Sequence, residues 1–499
     1  MRNHTSQSDR VVVPAKRANK PGPAPGAESV EGRTLPKGNP QEHSTVRTQS
    51  RAAVSPMLER IRELSRRDKE TRFNNVFRFI ADPKVLTLAF YELKPRAATG
   101  VDGVTWSSYG EALDANIADL SLRLHADRYL ASPVRRVHIP KPDGRTRPLG
   151  VPTLEDKIVQ RAFTMVVGEI FEQDFMGFSY GFRPGKSAHG ALDAVYTGIL
   201  TQKVNHVMDA DIRSYFDTIP HGLLMASLRR RLSDTRALRL VMKWLKAGVL
   251  EGGCFQESEM GSPQGGIVSP LLANIYLHDV FDTWVHAWRK TEARGNVIAV
   301  RYADDFVVGF QYADDAARCH ALLRKRFEEF GLVLHPEKTR VIAFGPFAQS
   351  DAKRRGGKAA TFDFLGFTHC CARKRSNGMF TIHRRTMRKR RRAKLKEVKA
   401  ELARRIHQPI AKQGKYLRSV LTGFDRYYGV PGNFPGVFAF HFEVTRRWYR
   451  ALRRRGNRGQ LTWARMNQYR AMFLPKPSLH HPYPLERMGV ITRGRSRMR

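Results

Sequence analysis

The chain has 499 residues, with 87 lysines and arginines against 46 acidic residues and a formal charge of +41. A charge of that size bears on partners rather than on fold. With no run of roughly 18 apolar residues to cross a bilayer, it argues for nucleic acid and against a membrane. The four cysteines, Cys254, Cys319, Cys370 and Cys371, show neither CxxC nor disulfide-like spacing, and "MRNHTSQSDR" lacks the apolar core of a secretion signal. A reduced, cytoplasmic protein without structural zinc is expected.

In chain order, residues 1–56 are rich in Pro, Gly, Ser, Thr and charge, the composition of a disordered basic lead. From Met57 to about residue 133, "MLERIRELSRR" and "FNNVFRFIADPKVLTLAFYEL" carry helical apolar spacing and "ATGVDGVTW" reads as a glycine-rich loop. "VRRVHIPKPDGRTRPLGVPT" predicts two strands around a Pro-Asp-Gly turn. A helix over "LEDKIVQRAFTMVVGEIFEQDF", a loop "MGFSYGFRPGKSAHGAL" and a strand "NHVMDADIRSYFDTI" follow. "MGSPQGGIVSPLLANIYLHDVFDTWVHAW" is a Gly/Pro loop opening a long helix. After residue 370 the character changes: "RRTMRKRRRAK" holds eight basic residues in eleven, and aromatics interleave with arginine in "FDRYYGVPGNF" and "RRWYRALRRRG".

The tetrapeptide YADD occurs twice within "RYADDFVVGFQYADDAARCHALLRKRF". The first copy lies between "VIAVR" and "FVVGF", which predicts a strand–turn–strand hairpin with Asp304 and Asp305 at the bend. The second precedes Ala317, Leu322, Leu323, Phe327 and Phe330 at helical spacing, so Asp314 and Asp315 read as an N-cap and a first-turn acid. "DADIRSYFD" adds Asp209, Asp211 and Asp217 around a strand end. Side chains two apart in a strand share a face, so either Asp209 or Asp211 suits a pair of divalent ions ~4 Å apart that support phosphoryl transfer. Chemistry alone does not choose between them.

In combination these motifs resemble a known family, the reverse transcriptase/maturase proteins encoded by bacterial group II introns. The resemblance is collinear over residues 70–475, through "GVDGVTW", "IPKPDGRTRPLGVPTLEDKIVQ", "YGFRPGKSAH", "DADIRSYFDTI", "GSPQGGIVSPLLANIYLHDVFD", "RYADDFVV", "HPEKTRVIAFG", "FDFLGFT", "YYGVPGNF" and "LTWARMN". It implies an α+β right-hand polymerase. Fingers and palm with an antiparallel sheet occupy 134–369, a helical thumb and maturase domain 370–475, and a basic tail 476–499.

Carried over by position, the resemblance makes Asp211, Asp304 and Asp305 the catalytic carboxylates, holding two Mg²⁺ with the Ile212 backbone carbonyl. Asp209 and Asp217 then fall outside the metal set, as hydrogen-bonding groups near the turn. Lys141, Arg147, Phe216, Gln264 and Lys338 match the dNTP contacts: triphosphate binding for the first two, exclusion of a ribose 2′-hydroxyl for Phe216, contact with the incoming nucleotide for Gln264, and protonation of pyrophosphate for Lys338. Arg388, Lys389, Arg390, Arg391, Arg392, Arg446 and Arg447 are expected on RNA phosphates, with Tyr427, Tyr428 and Trp448 stacking on unpaired bases. The implied partners are intron RNA, a DNA target or primer, and dNTPs. A zinc-containing endonuclease, present in many family members, is not expected from this cysteine pattern. The competing readings are an RNA-binding splicing factor with little polymerase activity, and a reverse transcriptase outside introns.

Overall fold

The computed structural model describes residues 40–140, 146–257, 259–262, 265–455 and 461–488. It is a mixed α+β structure whose C-terminal part is helical. Among the described residues no helix is long and apolar enough to cross a membrane.

Strands β1 (Val134–Pro140) and β2 (Thr146–Val151) form an antiparallel pair, and β3 (His206–Asp211) starts a second sheet. Strand β4 (Val249–Glu251) pairs in parallel with β1 and antiparallel with β5 (Cys254–Gln256), giving a first sheet of order β2-β1-β4-β5. Strands β6 (Val297–Tyr302), β7 (Asp305–Phe310) and β8 (Arg340–Ala343) join β3 in an antiparallel sheet of order β6-β7-β3-β8. Strands β9 (Thr361–Phe364), β10 (Phe367–Arg373) and β11 (Phe380–Thr386) make a third, of order β11-β10-β9.

Strands β6 and β7 of the central sheet are buried on both faces, which is why β7 reads as the continuous run "DFVVGF" rather than as an alternation. Its side chains still alternate. Phe306, Val308 and Phe310 enter a core with the N-terminal helices and helix Leu154–Phe171, whereas Val307 enters a second core with helix Ala188–Thr201 and the third sheet. A third core, around Leu421, Phe440, Val444 and Trp448, belongs to the C-terminal helices.

Three expected boundaries move. Residues 40–56, assigned by composition to a disordered lead, begin helix Pro40–Arg67. Val54 and Ile61 share one face of that helix and are buried, and the Ser65 hydroxyl donates to the Ile170 carbonyl at 2.9 Å. Residues 1–39 lie outside the described residues. The helical region begins at Arg388 rather than at 370, because β10 and β11 pair across Phe367–Arg373 and bury Cys371 and Ile382 on one side. Nor are residues 476–488 a free tail. His481 stacks on His189 at 3.9 Å, and Arg487 pairs with Asp193 at 3.1 Å, tying helix Pro484–Arg487 to helix Ala188–Thr201.

Candidate active site

The first YADD copy is the turn between β6 and β7, and the strand register sets Asp211 of β3 directly across from Asp305 of β7. Ala303 takes a left-handed φ of +56° in that turn. A buried arginine fixes it: the Arg301 guanidinium donates to both oxygens of Asp282, at 2.7 and 2.5 Å, to Asn274 Oδ1 at 2.9 Å and to the Ala303 carbonyl at 3.1 Å. Taking both charges out of water is costly, and only such bidentate, fully hydrogen-bonded geometry offsets it. Asp282 ends a π-helical turn, His278–Asp282, inside the helix that the Gly/Pro loop opens. Sequence reasoning missed Arg301, Asp282 and Asn274. The available signal was an arginine in the otherwise apolar strand "VIAVRY".

Burial pushes the Asp305 carboxyl well above the usual carboxylate range, and the charges of Asp209, Asp211 and Asp304 push it further. Burial also raises Asp304, with Asp211 adding to the rise while Arg147 and Lys338 oppose it. The Lys338 ammonium sits directly on the Asp211 carboxylate. Asp209, one strand-step back, is half-buried and pairs with Arg340 at 3.8 Å; burial lifts it to about 6, against the pull of Arg340. Asp217 lies on the short helix Tyr215–Thr218, where its backbone packs against Gly261.

Phe216 lies on the same short helix, packs partly against the core, and accepts a hydrogen bond from the Ser262 amide on its carbonyl at 2.7 Å. It borders a cleft of about 420 Å³ in which Phe216, Met260 and Gly261 face Arg136, His138 and Pro148 of the first sheet. Gly265, at φ +110°, wedges this loop against β2: a Cβ there would stand 2.4 Å from the Gly150 carbonyl. Arg147 is exposed on β2, close enough to Asp304 to favour its charge. Ile212 is buried and bridges to Leu334, and the Asp211 carbonyl accepts from the His335 amide at 2.8 Å. Lys141 and Gln264 lie outside the described residues.

The second YADD copy opens helix Ala313–Glu329, with one correction: the N-cap is Tyr312, and both acids sit in the first turn. Asp315 is fully buried and accepts the Arg294 and Gly295 amides at 3.1 and 2.9 Å. Burial alone would raise it, but these bonds and Arg318 hold it below the usual carboxylate range. Asp314 pairs with Arg294 at 2.7 Å on the surface.

The expected RNA-stacking aromatics are corrected more sharply. Trp448 is fully buried, its indole donating to Gln413 Oε1 at 2.9 Å. Tyr427 and Tyr428 are half-buried against Phe367, and the Tyr427 hydroxyl donates to the Leu365 carbonyl at 2.8 Å. The aromatics that reach solvent on helix Phe434–Arg453 are instead Phe434, Phe438 and Phe442. Four-residue spacing puts these on one face, and the Arg446 guanidinium lies 5.8 Å from the Phe442 ring. Arg446 and Arg447 both bind Glu443, which partly neutralises them. Arg388, Lys389, Arg390 and Arg392 are exposed and Arg391 half-buried on helix Arg388–Arg404.

The three aspartates form an all-oxygen donor set of the kind that hard divalent cations take, and their mutual repulsion, read in the raised Asp304 and Asp305, is the charge such a cation would relieve. Among the described residues no three acidic, imidazole or thiol groups yet converge on one point; Lys338 occupies Asp211 instead. The residues fit a divalent metal by chemistry and by strand position.

Residues 139–369 match the family described as "Reverse transcriptase (RNA-dependent DNA polymerase)", which generally uses divalent metal ions. The chain is similar to "Protein YkfC" of Escherichia coli (strain K12), at 37% identity over 287 residues covering 51% of this chain and 75% of that protein. It is similar to "Group II intron-encoded protein LtrA" of Lactococcus lactis subsp. cremoris at 33% over 225 residues, 45% of this chain but only 37% of LtrA. "Nuclear intron maturase 3, mitochondrial" of Arabidopsis thaliana is 25% identical over 183 residues, covering 32% of this chain and 25% of that protein.

Proposed function

Because the chain belongs to the reverse transcriptase family and is related to group II intron-encoded proteins, we propose that it synthesises DNA on an RNA template and also acts as the maturase of its own intron. The observation that carries this reading is the register that sets Asp211 across from Asp305, beside the turn that presents Asp304. In this reading the first sheet is the fingers, the central sheet the palm, and the helices from Arg388 the thumb and maturase region.

Asp211, Asp304 and Asp305, with the Ile212 carbonyl, would hold two Mg²⁺. Magnesium, when bound, supplies charge stabilisation to the attacking and leaving oxygens of phosphoryl transfer. The chain's own residues do the rest. Arg147 and Lys141 orient the triphosphate. Phe216 borders the cleft where the sugar of a dNTP would lie, and Gln264 is assigned the contact with the incoming nucleotide. Lys338, an ion-pair partner of Asp211, would give a proton to departing pyrophosphate. The exposed basic face of helix Arg388–Arg404 and the phenylalanine stripe beside it suit RNA, neutralising phosphates and offering rings to unpaired bases. Maturase action asks only that the protein bind the splicing-competent RNA fold more tightly than its alternatives.

The two roles separate by mutation. Asp304→Asn should abolish dNTP incorporation on a primed RNA template yet still promote splicing of the intron at low magnesium. Alanines at Arg388, Lys389, Arg390 and Arg392 should do the reverse on short primed templates. Loss of splicing in the aspartate variant would defeat the reading.

A further inference from the structure

Phe182 combines three properties that do not normally coexist. It is an aromatic residue with a left-handed φ of +58°, it is 57% exposed, and its ring lies 6.3 Å from that of Tyr302 at the entrance to the catalytic turn. A bulky residue at positive φ is a backbone outlier that persists only where the surroundings over-determine it, and such outliers cluster at functional sites.

The surroundings do over-determine it. The loop before Phe182 extends the central sheet beyond β6: the Tyr180 amide donates to the Arg301 carbonyl at 2.8 Å, and the Arg301 amide to the Phe178 carbonyl at 2.9 Å. Gly181 lies flush on the catalytic turn, where a Cβ would stand 2.3 Å from the Ala303 nitrogen, and its carbonyl accepts from Asn274 at 2.7 Å. Asn274 is the residue that also receives Arg301. On the other side the buried Arg183 guanidinium donates to the Met176 and Ser179 carbonyls, at 2.6 and 2.7 Å, and pairs with Glu172. One scaffold therefore fixes both the aspartate turn and an aromatic residue that keeps more than half of its surface in solvent.

We propose that Phe182 is a stacking platform for a nucleobase of the template strand at the catalytic centre. This deepens, and rests on, the polymerase reading above. The strand that carries the reacting 3′ end must reach Asp211 and Asp305, between β3 and β7. On the β8 side of those residues Lys338, two residues before β8, already binds Asp211. The paired strand then lies towards β6, where Phe182 stands. Every base offers a π-face, so the contact is independent of sequence.

The test uses the full chain and an RNA-template/DNA-primer duplex in EDTA, so that binding is read without chemistry. A 2-aminopurine is placed either in the template, opposite the primer terminus, or in the primer terminus itself. Phe182→Ala should weaken duplex binding about tenfold, as loss of a base–aromatic stack does, and should release the quenching of the template probe. Phe182→Trp should restore both. Phe182→Gly should lose binding like alanine while melting no lower than wild type, because glycine relieves the positive φ; a ring needed only for packing would lower the melting temperature instead. Unchanged binding in Phe182→Ala, or a response confined to the primer probe, overturns the proposal. Incorporation by Asp304→Asn would instead overturn the polymerase reading itself, so the two failures are distinguishable.

Discussion

Arg301 and Asp282 form an ion pair in which neither side chain has exposed surface, closed by hydrogen bonds of 2.7 and 2.5 Å. Removing one partner strands a buried charge, a loss of about 3–5 kcal/mol. Asp282→Asn should therefore lower the melting temperature and dNTP incorporation together. Arg301→Lys should not restore activity, since a single ammonium cannot serve Asp282, Asn274 and the Ala303 carbonyl at once. Thermal melting and primer extension on the same preparations check this; a fully active Arg301→Lys enzyme would remove the pair from the account of the turn.

The two YADD copies should behave oppositely. Asp304→Asn or Asp211→Ala removes a carboxylate from the developing charge of the transition state, a loss of roughly a thousandfold or more in incorporation rate. Asp314→Asn removes a surface ion pair with Arg294, worth about 0–1 kcal/mol, and should leave the rate near that of wild type. Single-turnover extension with Mg²⁺ compares all three, and inactivation by Asp314→Asn would reverse the assignment.

Sugar selection provides a third check. Phe216 borders the cleft between the first sheet and the Gly261 loop. Phe216→Val should raise ribonucleotide relative to deoxyribonucleotide incorporation by about tenfold or more. Unchanged discrimination in an active variant would leave Phe216 as a packing residue only.

The C-terminal aromatics divide by exposure. Trp448→Ala empties a buried site and should cost about 3–5 kcal/mol of stability. Phe438→Ala, on the exposed face, should leave the fold intact and weaken RNA binding at every salt concentration. Alanines at Arg388, Lys389, Arg390 and Arg392 should instead flatten the log–log salt dependence, by about 1 for each phosphate contact removed. Filter binding across a salt series, paired with melting curves, separates the three outcomes.

Acid sensitivity follows from His369, which burial holds down to about 3, with Arg384 pushing the same way. An unfolded histidine titrates near ~6.5. Between that value and about 3 the unfolded chain takes up a proton that the folded chain refuses. The stability from a neutral His369 is thus complete above pH ~6.5 and declines as the pH falls. Its ring stacks on Phe362 at 4.6 Å, so His369→Phe keeps the stack and removes the titration. The variant should gain melting temperature relative to wild type between pH 7 and pH 5; a constant difference would show that His369 does not titrate on unfolding.

Local pattern alone located the strands around the first YADD, the helix after the second and the hairpin at 134–151, because alternation, turn residues and helical periodicity are properties of neighbouring residues. The choice of Asp211 over Asp209 came from the family resemblance and not from local pattern; in the structure Asp211 lies across from Asp305, while Asp209 lies across from Val307 and pairs with Arg340 at 3.8 Å. Three features needed the tertiary structure. The support of the turn joins Arg301 to Asp282, Asn274 and Gly181, residues brought together from separate elements, and no sequence spacing encodes that distance. Helix Phe434–Arg453 carries aromatics on every side, so periodicity could not say that Trp448 faces the core and Phe438 the solvent; packing against helices Arg388–Arg404 and Ile410–Tyr428 decides it. And the polar composition around residues 40–56 hid a helix held by one apolar face, Val54 and Ile61, whose burial against helix Leu154–Phe171 supplies the stability its own composition lacks.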